Sequence, residues 1–144
     1  MSRQVASSKI FDAVAVSSTN TYYSGSSVTK KDGTTGQLGT DTPASQLVTI
    51  VGKFTSTPGG TLTVEVSNSD RNDVEFGVDV WTTYTQVTGS GFAAGVATVT
   101  SGQINGSAVF AIELKNFGYR RIRLTYVNAS GTGTISAVIT VKRA

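Results

Sequence analysis

Short runs of alternating apolar and polar residues recur along this chain, each fenced by Gly, Ser, Asn or Asp. That pattern selects strands joined by tight turns, and it leaves little room for helices. It is clearest between Gln46 and Ser67. Val48, Ile50 and Phe54 share one face of an extended Gln46–Thr55 segment, because successive strand side chains point to opposite faces. Ser56-Thr57-Pro58-Gly59-Gly60 turns the chain: proline fixes φ and glycine supplies positive φ. Thr61–Ser67 returns, with Leu62, Val64 and Val66 on one side and Thr61, Thr63 and Glu65 on the other.

The same pattern predicts strands over Lys9–Val16, Phe76–Val87, Val96–Thr100, Ala108–Leu114, Tyr119–Val127 and Thr134–Val141. In Phe76–Val87, the residues Val78, Val80, Trp81 and Tyr84 are expected to contribute to the core. In Tyr119–Val127, Ile122, Leu124 and Tyr126 read as inward, and Arg121, Arg123 and Thr125 as outward. About eight strands around one core make an all-β antiparallel sandwich, jelly-roll-like in outline. A chain of 144 residues suits one domain. The organisation expected is an N-terminal strand with a long polar loop or arm over residues 1–45, then a sandwich core over 46–144. The stretch Ser17–Ser45, with its Ser24-Gly25-Ser26-Ser27 and Asp32-Gly33-Thr34-Thr35-Gly36 clusters, is too long for a turn. It reads either as a surface loop, partly disordered, or as an arm ordered on a partner or neighbouring subunit.

Composition narrows function. The chain has no Cys and no His. Disulfides and thiolate metal sites are impossible, and the usual general base, metal ligand and nucleophile systems are missing. No metal and no cofactor are expected, and no enzymatic activity. Asp70, Asp73, Glu75 and Asp79 cluster in sequence, but they sit in and after a turn, where such residues bond locally. Asp70, Asn72 and Asp73 could offer oxygen to calcium, yet the distant Glu of a calcium loop is absent. Net charge is only +3, with 12 Lys and Arg. That predicts no nucleic-acid partner. No apolar run is long enough for a membrane span. Met1–Val5 lacks the apolar run of a secretion signal, so synthesis in a cytoplasm is the expectation.

Candidate binding residues are aromatic and basic. Trp81 and Tyr84 would either stack on sugar rings or pack on the core. Tyr22 and Tyr23, aromatics in a polar stretch beside Lys30 and Lys31, would either anchor on another surface or pack on the chain's own sandwich. Arg120, Arg121 and Arg123, with Lys142 and Arg143, form the main basic group. It reads either as a charged edge that blocks strand addition or as a contact for an acidic protein surface.

One segment carries a resemblance. Phe117-Gly118-Tyr119-Arg120-Arg121-Ile122-Arg123-Leu124-Thr125-Tyr126, followed by Gly131-Thr132-Gly133-Thr134-Ile135, is similar to the C-terminal part of small β-sandwich structural proteins of tailed bacteriophages. Capsid decoration, or cement, proteins are among them. Val64–Asp70 followed by Trp81 resembles an arrangement in the same group. The resemblance covers about half the chain, from Thr61 onward, and discoidin-like and carbohydrate-binding jelly rolls share a similar ending. It implies a virion protein on the capsid surface, made in the host cytoplasm. Its partners would be the major capsid protein and further copies of itself, a homotrimer being favoured. Tyr22, Tyr23, Lys30, Lys31, Arg121 and Arg123 are the residues expected at such contacts. The alternative is a carbohydrate- or receptor-binding module of a phage tail or fibre.

Overall fold

A computed structural model describes residues 4–42, 47–115 and 117–143. The elements in chain order are β1 (Gln4–Val16), β2 (Thr21–Tyr23), β3 (Ser26–Thr29), β4 (Thr35–Asp41), β5 (Leu47–Ser56) and β6 (Gly59–Ser67), then the short helix α1 (Arg71–Glu75). After it come β7 (Thr82–Thr83), β8 (Phe92–Ala93), β9 (Val96–Val99), β10 (Val109–Lys115), β11 (Arg121–Ser130) and β12 (Gly133–Arg143). The strands form two antiparallel sheets packed face to face, the sandwich that the alternating pattern predicts. The first sheet has the order β1-β12-β5-β10. The second runs β3-β4-β11-β6-β9-β8, with β2 also on β11 and β7 also on β6.

The core lies between the sheets and follows the period of two. Val48, Ile50 and Phe54 of β5, Phe110, Ile112 and Leu114 of β10, and Ile135, Ala137, Ile139 and Val141 of β12 line the first sheet. Leu62, Val64 and Val66 of β6 and Ile122, Leu124 and Tyr126 of β11 face them. Phe54 packs its ring against both Phe110 and Tyr126, at 5.7 and 5.2 Å between centroids. β5 and β6 do not pair with each other as the hairpin their turn suggests: β5 bonds β10 and β12 in the first sheet and β6 bonds β11, β9 and β7 in the second, so the Ser56–Gly60 turn joins the layers at one end. There Asn128, fully buried, accepts from the Tyr126 hydroxyl at 2.8 Å. Its amide donates to the carbonyls of Ser18 and Gly131.

The stretch from Ser17 to Thr42 is not a free arm, and residues 43–45 lie outside the described residues. It folds into three strands of the second sheet. The reason lies in the two edges of the central pair, β11 and β6. One edge of β11 is shared between β4, at Arg121 and Ile122, and β2, at Thr125 to Val127. Between them Ser24, fully buried, donates its N–H to the Leu124 carbonyl and accepts the Leu124 N–H on its hydroxyl. Two segments therefore satisfy backbone groups that one strand would otherwise serve. The far edge of β6 is shared in the same way by β9 and β7. A serine- and threonine-rich sequence can do this because the bonds come from the backbone, not from apolar side chains.

Two further expectations are corrected. No strand spans Phe76–Val87. Val78 and Val80 are 61% and 64% exposed rather than in the core. Residues 71–75 instead form a helical turn held by a capping box, in which Asp70 and Asp73 bond each other's backbone N–H. The start of the β5 strand at Gln46 and the connector residue Asn116 lie outside the described residues.

Candidate functional site

The outward face of β11 is not solvent. Arg121 and Arg123 do point away from the main core, as their alternation requires, but a third layer covers them. That layer is built from the β3–β4 end of the second sheet, beyond its pairing with β11, together with α1 and the segment leading to Trp81. It has a small core of its own, in which Val74 is fully buried and Leu38 is 4% exposed. Val74 fits only because residue 36 is glycine: a Cβ there would stand 2.6 Å from a Val74 methyl.

The Arg121 side chain is 10% exposed. Its Nε donates to the Ser69 carbonyl at 3.1 Å and its Nη1 to the Leu38 carbonyl at 3.2 Å. The exposed Asp41 carboxylate lies 3.7 Å from Nη2. Arg123, with a side chain 11% exposed, donates Nε to Glu65 Oε1 at 2.9 Å. The Thr125 hydroxyl donates to the same oxygen. The Arg123 guanidinium lies against both the Tyr23 ring, 4.6 Å from its centroid, and the Trp81 ring, 4.2 Å away. Planar guanidinium groups stack well in this way. Gly39 makes room for the stack, since a Cβ there would stand 2.8 Å from the Trp81 ring. Both guanidiniums are therefore committed inside the chain. The reading of Arg121 and Arg123 as a free basic surface is corrected: the third layer turns them into its anchors.

The other candidates fall in different places. The Tyr22 hydroxyl bonds Ser17, and its ring packs against the core. Tyr23 remains 39% exposed at the rim of the stack. Lys30 pairs with Asp79 at 3.3 Å, both side chains being about one-fifth exposed. Lys31 lies over the Phe76 ring, 5.6 Å from its centroid. Tyr84 is buried, edge-on to Phe117 and Tyr119. Trp81 and Tyr84 thus form no shared sugar platform. Asp70 and Asp73 spend their oxygens on the helix cap. The Asp73 N–H it accepts holds the Asp70 carboxyl below its usual range.

Sequence reasoning missed two exposed apolar groups. The first is the loop after α1, where Phe76, Val78 and Val80 are 63%, 61% and 64% exposed. This loop is not slack. The Val78 N–H donates to the Asp73 carbonyl, and the Ser69 hydroxyl receives the Val80 N–H. The Lys30–Asp79 pair fixes the residue between the two valines. The second group lies on the outer face of the first sheet, which nothing in the chain covers among the described residues. Val51, Val109 and Val138 are exposed there, with Val51 and Val138 cross-strand partners. With Gly52, Lys53, Ser136 and Ala137 they line a shallow hollow of about 220 Å³. The alternation that marks an inward face gave no warning of these valines, because β-branched residues suit a strand on either face.

The fold also occurs elsewhere. Over 96% of its length the chain is similar to the crystal structure of the PBSX exported protein XepA, with TM-score 0.52 and 20% identity. It spans only 37% of that longer chain. The SPBc2 prophage-derived protein YomS matches 97% of this chain and 96% of its own, at TM-score 0.44 and 10% identity. A carbohydrate-binding and catalytic fragment of Clostridium thermocellum xylanase 10B matches 95% of this chain and 28% of its own, at TM-score 0.40 and 15% identity. No protein-family model and no curated protein matches the sequence. What is shared is the β-sandwich.

Proposed function

We propose that this chain is a phage structural protein that works by binding, docking in several copies on the outer capsid and reinforcing it as a decoration protein. The observation that carries the reading is the sandwich shared, over nearly the whole chain, with the PBSX exported protein. The resemblance of Phe117–Tyr126 and Gly131–Ile135 to phage decoration proteins supports the finer assignment. The chemistry agrees with it. A chain without His or Cys carries none of the usual nucleophile–base systems. Its exposed apolar groups sit on a sheet face and on a hydrogen-bonded loop, where a docking protein could present them. Each contact on a capsid would be modest, and repetition across copies would multiply it.

Co-sedimentation tests this reading. Purified protein is mixed with mature, undecorated capsids of the phage that encodes it and, separately, with free capsid subunits. Saturable pelleting with assembled capsids, and none with subunits, is the expected result. No pelleting with either refutes the decoration role. Hits on a glycan array in that case would move the assignment to a receptor-binding module.

A further inference from the structure

Val78 and Val80, 61% and 64% exposed, line one concave hollow of about 390 Å³ at the end of β6. Sites for small molecules span roughly 300 to 1,000 Å³. Tyr119, 37% exposed, adds an aromatic wall. Its ring stands 5.7 Å from the buried rings of Tyr84 and Phe117, which hold it in place. Val80 and Thr82 line the hollow, while Trp81 between them goes to the Arg123 stack. The valine loop is braced: the Ser69 hydroxyl accepts the Val80 N–H at 3.2 Å and donates to the Val78 carbonyl at 3.4 Å. The polar groups of the wall have a set sense. Asn68 Oδ1 accepts the Arg120 N–H at 3.0 Å, so the amide offers its NH2 as a donor. Asp73 Oδ2 accepts the Asp70 N–H at 3.0 Å, and Oδ1 bonds nothing among the described residues. The Thr82 hydroxyl can give or take a hydrogen bond.

These walls exclude most ligands. No Lys or Arg lines the hollow among the described residues, and Arg120, next to Tyr119 in sequence, keeps its guanidinium 3.8 Å from Asp70. An anion would therefore meet Asp73 without a counter-charge. A wholly apolar ligand would strip water from Asn68 and Asp73 and return no hydrogen bond. A compact cation would satisfy Asp73 but turn its charge towards the Asn68 NH2 and leave the valines uncovered. A sugar ring meets every demand: its hydroxyls both donate and accept, and its C–H face can lie on Tyr119 and the two valines. We infer that this hollow binds a neutral saccharide. The site goes beyond the decoration role and is separate from it in space. The bare valines of the first sheet lie on another layer, so a capsid contact there leaves the hollow open.

The test uses the full chain on an array of neutral and acidic bacterial oligosaccharides, with the best binder then titrated by calorimetry. A neutral saccharide should bind, and its acidic counterparts more weakly. Asn68→Asp keeps the oxygen that receives the Arg120 N–H and turns the donor into a carboxylate oxygen near Asp73. Val80→Asp replaces an exposed apolar wall with a charge. Each should weaken the same saccharide about tenfold or more, roughly the loss of one hydrogen bond. Val138→Asp, exposed on the first sheet, should bind as the native chain does. Thermal melting by circular dichroism should leave all three variants close to the native protein; if Asn68→Asp melts early, Val80→Asp decides alone. A native chain that binds no saccharide, a preference for acidic glycans, or binding that survives the hollow variants overturns the inference. A chain that pellets with capsids and binds no sugar would refute the site and leave the decoration role standing. A sugar binder that ignores capsids would do the reverse.

Discussion

Removing residues 1–45 should unfold the protein rather than trim it. In the folded chain Ile10, Phe11 and Val16 of β1 and Leu38 of β4 are 8%, 3%, 1% and 4% exposed. Burying one such side chain contributes about 1.5–3 kcal/mol. The four together contribute about 6–12 kcal/mol, an upper figure because unfolded chains are not fully extended. A domain of this kind is stable by about 5–15 kcal/mol in all. The truncation also strips β1 from β12 and both partners from one edge of β11, leaving the Leu124 N–H without Ser24. Residues 46–144 alone should therefore show no cooperative thermal transition by circular dichroism and no dispersed amide spectrum. A shift of about 4–8 °C corresponds to about 1 kcal/mol in a domain of 60–100 residues. A truncated chain melting cooperatively within that margin of the full chain would refute the integration of the N-terminal strands.

Three smaller perturbations test the interior. Arg123→Ala leaves Glu65 without its guanidinium in a setting where its side chain is 18% exposed. It should cost about 2–4 kcal/mol in urea denaturation, at or just below the range for breaking a buried pair; a loss under about 0.5 kcal/mol would mark the pair as surface-like. Asn128→Ala strands the Tyr126 hydroxyl and the carbonyls of Ser18 and Gly131, and a loss of about 1–3 kcal/mol should appear in the same assay. Burial pushes the Tyr126 phenol up to about 12. The folded state then favours the neutral phenol, so this contribution is intact below the ordinary value near 10 and is lost as pH rises through the folded value. Spectrophotometric titration should find one of the five tyrosines ionising late, together with unfolding; five normal titrations in the native protein would refute it.

The strands that build the core were legible because their inward residues repeat with period two and bury side chains. β5, β6, β10, β11 and β12 all have such a face, and their turns carry Gly, Pro or Asn. β2, β3 and β4 were not legible, since β2 and β4 serve to bond the edge of β11 and β3 to bond β4. Ser24 does this with a backbone N–H and a hydroxyl, and no apolar periodicity announces it. Helix α1 is five residues long, too short for a helical stripe. Its sign is the pair Asp70 and Asp73, three apart, which in sequence looks like any polar turn. The arginines were placed on the correct face of β11. What covers that face comes from segments about 40 to 85 residues away, such as Ser69, Trp81 and Leu38, and alternation within one strand carries no information about that distance.

The pairing of β1 with β12 sets the order of events during synthesis. Ser8 lies opposite Ile139, so β1 has its partner about 130 residues further along the chain, in β12. Until β12 leaves the ribosome, Ile10, Phe11 and Val16 have no sheet to complete and stay open to water or to other chains. Contacts this distant in sequence make folding slow, and waiting edges favour mispairing. Where several chains are translated side by side, the interval between the synthesis of β1 and the arrival of β12 is when neighbouring nascent chains are most able to exchange strands.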